Sequence, residues 1–114
     1  MDLLWYLLLA HLTGDFALQS DRMAADKAQS PRVLSAHVIV YVTCVALAIW
    51  QYTLWTGALR ASVTTVAAGL SVIFTLHWIQ DYIKGRRFPE SKQAFYADQV
   101  LHLLQLYALR IILA

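Results

Sequence analysis

Hydrophobic residues fill four stretches of the chain, about 3–19, 33–55, 63–84 and 94–114, with short polar segments between them. Each is close to the roughly 20 residues that a helix needs to cross a bilayer, and the first is the shortest. The breaks carry turn and helix-start signals. The first runs from Ser20-Asp21-Arg22 to Ser30-Pro31-Arg32, the second is a brief turn at Thr56-Gly57, and the third is Lys84-Gly85-Arg86-Arg87-Phe88-Pro89-Glu90. Pro31 and Pro89 stand where a new helix would begin, a position at which the missing proline N–H costs little. The pattern predicts an all-α protein of one domain, 1–114: a four-helix transmembrane bundle with up-down topology.

Composition strengthens that reading. Of the 114 residues, 60 % are hydrophobic and 14 % charged, and a soluble domain this small cannot hide so much apolar surface. The bilayer is the natural solvent for it. The N-terminal Met1-Asp2-Leu3-Leu4-Trp5 has no basic segment or cleavage site of the kind that marks a signal peptide, and is expected to be a retained helix. A lone cysteine, Cys44, excludes a disulfide framework and a CxxC metal motif. A net charge of +2 is too small to point to nucleic acid.

The basic residues set a direction. Seven of them (Arg22, Lys27, Arg32, Lys84, Arg86, Arg87 and Lys92) fall in the first and third connectors, against Arg60 and Arg110 elsewhere. The positive-inside rule then places those two connectors in the cytoplasm and both termini on the non-cytoplasmic side of a multi-pass inner-membrane protein. Lys27 and its neighbours are expected to act as topology signals and headgroup contacts. Trp5, Tyr6, Trp50, Tyr52 and Trp55 would form an outer aromatic belt, and Trp78, Tyr82, Phe95 and Tyr96 an inner one.

Against this apolar background stand seven ionisable residues: His11, Asp15, His37, His77, Asp81, Asp98 and His102. With odd helices running inward and even ones outward, all seven fall roughly 5 to 12 Å from the cytoplasmic helix ends. Three helices each carry a histidine and an aspartate four residues apart, hence on one face: His11 with Asp15, His77 with Asp81, and Asp98 with His102. The remaining helix offers His37, followed by Tyr41 and Cys44, which read as packing residues.

Three aspartates at membrane depth would cost on the order of 8 to 10 kcal/mol on insertion scales, comparable to the whole stability of a small domain. A divalent metal offsets that cost directly. Imidazole and carboxylate suit Zn, Fe or Mn, with zinc favoured, and seven potential ligands are enough for two ions or for one ion with supporting carboxylates. All seven are therefore candidate metal ligands, and Asp81 and Asp98 are the candidate catalytic carboxylates. Hydrogen bonding between His and Asp as interhelical glue, without metal, is the competing reading. Haem ranks below both, since axial histidines do not call for an aspartate one turn away on three helices.

The blocks His11-Leu12-Thr13-Gly14-Asp15-Phe16 with Gln19, His77-Trp78-Ile79-Gln80-Asp81 with Lys84, and Asp98-Gln99 with His102, together with His37, resemble a family of small bacterial membrane proteins known as a domain of unknown function. That resemblance spans nearly the whole chain and implies the bacterial inner membrane, but no activity. His77 with Asp81, and His11 with Asp15, are also similar to pairs in inner-membrane proteins described as metal-dependent hydrolases. That second likeness implies metal-dependent hydrolysis; the residues themselves lead to the expectation of a lipid, lipid-linked or membrane-peptide substrate, with Lys84 or Gln99 as candidates to stabilise the developing oxyanion. Two other classes share the pattern: a proton or metal-ion carrier module, and a non-catalytic small subunit of a larger membrane complex. Beyond the lipid bilayer, the expected partners are further copies of the chain or such a complex, because four helices of this length enclose little room.

Overall fold

The computed structural model describes residues 2–88 and 91–114, and it is all-helical. Pro89, expected at a helix start, lies outside the described residues. Helix α1 (Leu3–Leu12) continues into a π-helical turn, Thr13–Ala17; α2 (Asp21–Asp26) follows, then α3 (Pro31–Thr56), α4 (Val63–Arg87) and α5 (Lys92–Leu113). The first connector therefore contains a short helix that the hydrophobic pattern, read on its own, had left as a polar loop. Its start is nonetheless marked in the sequence, since Ser20 caps it by accepting from the Met23 N–H.

The long helices obey the same local rules. Ser30, Ser62 and Ser91 each accept a backbone N–H three residues on, and Pro31 occupies the first turn of α3. Gly57 ends α3 in the left-handed conformation, φ 62°, which glycine adopts without a Cβ penalty. Helices α1, α3, α4 and α5 pack in a closed ring, each against the next and α5 back against α1, within 42 × 25 × 23 Å. Contacts between chain-distant ends fix the up-down order. The backbone N–H groups of Arg60 and Ala61 donate to the Leu113 carbonyl, and Arg110 grips Asp2 through two hydrogen bonds of 3.0 and 2.7 Å. Held by that guanidinium and by the Leu4 N–H, the Asp2 carboxyl titrates at about 2 rather than 3.8.

Of the four expected spans, α3 and α4 are long and apolar enough to cross a membrane. The stretch Leu3–Ala17 is apolar but shorter, and α5 is interrupted by Asp98 and Arg110. The outward faces are largely apolar, with Leu9, Leu47, Leu54, Val72, Leu104 and Ile112 all more than half exposed. Trp5, Trp50 and Trp55 are exposed at the terminal end as a belt would require, but Tyr52 is not a belt residue. It is buried in the core, with Tyr6 edge-on to it at 5.6 Å.

The interior divides along its length. From the terminal end, Leu3, Leu7, Val45, Ile49, Leu106, Leu109 and Leu113 form a continuous apolar core. Toward the connectors that core gives way on every helix to the seven ionisable residues, each between 0 and 5 % exposed.

Candidate metal centre

Each of the four main helices delivers its polar residues to the same level, and local features aim them. The π turn is closed by the Leu18 N–H donating to the Thr13 carbonyl, one residue wider than an α turn. Asp15 sits in it. Gly14 lets that turn lie directly on α3, where a Cβ would stand 3.0 Å from the Tyr41 Cα. The turn swings Asp15 away from His11, leaving 3.9 Å between them, and toward the two histidines of α3 and α4. Such π turns are common at functional sites because they redirect one side chain without ending the helix.

The result is a tight group of four. The Asp15 Oδ1 lies 3.1 Å from His37 Nε2 and 3.4 Å from His77 Nε2; the Asp81 Oδ2 lies 3.3 and 3.2 Å from the same two nitrogens; and the nitrogens are 3.2 Å apart. Ligands about 2.0 Å from a shared tetrahedral zinc, the bond length of zinc to nitrogen and oxygen, stand about 3.3 Å from one another, and five of the six donor pairs have that spacing while the sixth, Asp15 with Asp81, lies within 4.8 Å. One hydrogen bond, between His37 Nε2 and His77 Nε2, accounts for only part of this arrangement. Asp15 Oδ1 makes no hydrogen bond despite its neighbours, and the Nδ1 atoms of His37 and His77 have no partner among the described residues. Four electron-pair donors converge on one point, as a ligand set does.

A second group shares a member with the first. Asp81, Asp98 and His102 each place a ligand atom within 4.8 Å of the others, all three buried. His102 Nδ1 is 3.5 Å from Asp98 Oδ2, and neither its ring nitrogens nor Asp98 Oδ1 has a hydrogen-bond partner among the described residues. Asp81 thus stands between a four-donor group and a three-donor group. Closed four-ligand sets are typical of structural zinc, and three-ligand sets leave a position for water or substrate.

Two lysines neutralise the aspartates. Lys27 Nζ lies 3.0 Å from Asp81 Oδ2, and Lys84 Nζ lies 3.3 Å from Asp98 Oδ2. The first of these corrects the expectation that Lys27 is only a topology signal. It follows α2 directly, in the turn that approaches α4 where Gly85 faces Ala28 and a Cβ would meet the Ala28 Cβ at 2.9 Å. Small residues at 24, 25, 28 and 85 were the available signal.

His11 is placed differently from the other expected ligands, outside both groups. The Gln99 Oε1 can only accept, so at 2.8 Å the His11 Nε2–H donates to it, and the Tyr41 hydroxyl donates at 2.9 Å to the remaining Nδ1. Gln99 in turn donates to Asp98 Oδ2 at 3.3 Å. A chain of hydrogen bonds therefore runs from Tyr41 through His11 and Gln99 to a member of the second group, the kind of support that orients a metal ligand. Tyr41, read from sequence as packing, both packs and bonds. Its position four residues after His37 was the visible sign.

A family model described as a protein of unknown function, DUF3307, matches residues 3–114. No curated protein and no solved structure matches the chain.

Proposed function

The chain belongs to that DUF3307 family, and from this premise we propose that it is a membrane-embedded hydrolase in which two donor groups sharing Asp81 would hold two divalent ions, zinc favoured, beneath the cytoplasmic face. The carrying observation is the close approach of the His37, His77, Asp15 and Asp81 donor atoms, with five pair distances of 3.1 to 3.4 Å and the sixth pair within 4.8 Å. In this reading all four main helices cross the inner membrane. The exposed apolar faces meet lipid chains, and the seven basic connector residues hold the polar end in the cytoplasm.

The two groups divide the work. Asp15, His37, His77 and Asp81 hold a closed, positioning ion. Asp81, Asp98 and His102 would hold a second ion, and the chemistry such an ion supplies is to make water acidic enough to act as a nucleophile. Asp98 Oδ2 is held by Lys84 and Gln99, which leaves its Oδ1 as the atom that would take the proton from a water adding to an ester of a lipid or membrane-linked substrate. The proton then passes to the departing alkoxide oxygen as the ester bond breaks. A carrier role is supported less well, because the apolar core between Leu3 and Leu113 offers no polar path from the cluster to the opposite end among the described residues.

Elemental analysis of the detergent-purified protein tests the reading. Two equivalents of metal are expected in the native chain and at most one in Asp98→Ala, with ester turnover lost in that variant. A metal-free native protein, or turnover undiminished in Asp98→Ala, would refute it.

A further inference from the structure

One member of the three-donor group, Asp98, lines a cavity. On the outer side of the α4–α5 seam, beside Asp98, runs a groove of about 480 Å³ walled by Ile83, Ala97 and Leu101, with Lys84 and Asp98 at its polar edge. Small side chains at 94 and 97 of α5 leave its width open opposite Ile83. Its size matches the cavities that hold single small organic ligands. Asp98, only 5 % exposed and with its Oδ1 unpartnered among the described residues, is the member of the group that lines the groove and so joins it to the candidate metal position.

The charge at this edge narrows what fits. Lys84 is steadied by the Phe95 ring, 5.4 Å from Nζ to its centre, and Arg86, Arg87 and Lys92 belong to the same short connector region. A neutral ester could use the metal but would leave the Lys84 ammonium with nothing new to bind. A phosphate head offers oxygens to both at once, and phosphate oxygens are good ligands for lysine and for hard divalent cations. The apolar walls ask for a hydrocarbon chain on the same molecule. Resting on the hydrolase reading, we infer that the α4–α5 groove binds a single-chain lipid phosphate, its chain against Ile83, Ala97 and Leu101 and its phosphate between Lys84 and the Asp81–Asp98–His102 group.

Native mass spectrometry of the detergent-solubilised, metal-replete protein tests this with three probes: oleoyl lysophosphatidate, mono-oleoylglycerol without the phosphate, and glycerol phosphate without the chain. Lysophosphatidate is expected to bind at least about tenfold more tightly than either, as the loss of a charge-assisted contact or of chain burial predicts. Ala97→Trp, which fills the groove, and Lys84→Gln should each weaken it by about tenfold, with Lys84→Arg retaining most of the affinity. Equal binding of mono-oleoylglycerol would remove the phosphate site, equal binding of glycerol phosphate would make the ligand a soluble phosphate, and unchanged affinity in Ala97→Trp would place the lipid elsewhere. Each of these overturns the inference. Should Ala97→Trp fail to fold, the three-probe comparison on the native chain still decides. Metal content read on the same samples separates the two readings: metal present without lipid discrimination defeats the groove alone, and discrimination without metal defeats the hydrolase alone.

Discussion

At the terminal end of the bundle, α1, α3, α4 and α5 bury leucine, isoleucine, valine and alanine; at the connector end the same four helices bury three histidines and three aspartates that face one another, with His11 beside them. The backbone is equally regular in both halves, apart from the π turn that carries Asp15. What differs is the source of cohesion. If all four helices cross a bilayer as proposed, the apolar half gains nothing from the hydrophobic effect between helices, because acyl chains are as apolar as leucine, and close packing holds it. The polar half is held by charge compensation from Lys27 and Lys84, and it retains more donor atoms than those two lysines satisfy. If stability alone had shaped that end, well-packed apolar residues would have served as well or better. The surplus of electron-pair donors points to a ligand.

The sharpest way to break this contrast is at Asp81, which belongs to both ligand groups and to the Lys27 pair. Asp81→Ala should remove both metals and leave a largely buried ammonium without its partner, destabilising the protein by about 3 to 5 kcal/mol. The double variant Lys27→Met with Asp81→Leu should recover most of that stability in a thermal melt while binding no metal at the shared position. Recovery of metal together with stability would show that Asp81 is structural glue and would erase the distinction between the halves. The effect in the apolar half should be smaller and of another kind. Leu7→Ala removes a fully buried side chain, but in a bilayer the transfer part of the usual 2 to 5 kcal/mol falls away, leaving about 1 to 3 from lost packing. Its metal content should match the native protein; a loss of metal would mean that the two halves are mechanically coupled.

The same contrast explains what could be read from sequence. The positions of α3, α4 and α5 were legible because long apolar runs between serine and proline signals leave few alternatives, and the facing of His77, Asp81, Asp98 and His102 followed from four-residue spacing on regular helices. That logic weakened where the helix is not regular. His11 and Asp15 share the same spacing, yet the π turn sends Asp15 to the four-donor group and leaves His11 bonded to Tyr41 and Gln99. Periodicity assumes an α-helical pitch and cannot register one extra residue in a turn. Lys27 escaped for a different reason. It lies in a polar connector, and its reach to Asp81 depends on a Gly85–Ala28 approach between segments 57 residues apart, which no local pattern encodes. In general the sequence disclosed which helix faces are polar, and the pairing of individual atoms across helices required coordinates.

The smallest expected effect concerns the clamp that closes the apolar half, the Asp2–Arg110 pair joining the start of α1 to the last turn of α5. Asp2 titrates at about 2 in the folded protein against 3.8 in an unperturbed chain, so the native state holds its ionised form more tightly than the unfolded state does. Above pH 3.8 both states are ionised and the whole contribution is present; as pH falls from there through about 2 the unfolded chain takes up the proton first, and the contribution disappears. Both groups are solvent-exposed, so the change is small and weakens further with salt. Thermal melts of the native protein and of Asp2→Asn at low ionic strength should therefore differ slightly at pH 6 and converge near pH 2. The polar half supplies the control. Asp2→Asn should leave metal content and ester turnover at pH 6 unchanged, because the clamp sits at the opposite end of the bundle from every candidate ligand. A gap between the melts that persists or widens at pH 2, or a fall in metal content, would show that this end contact does more than fasten the termini.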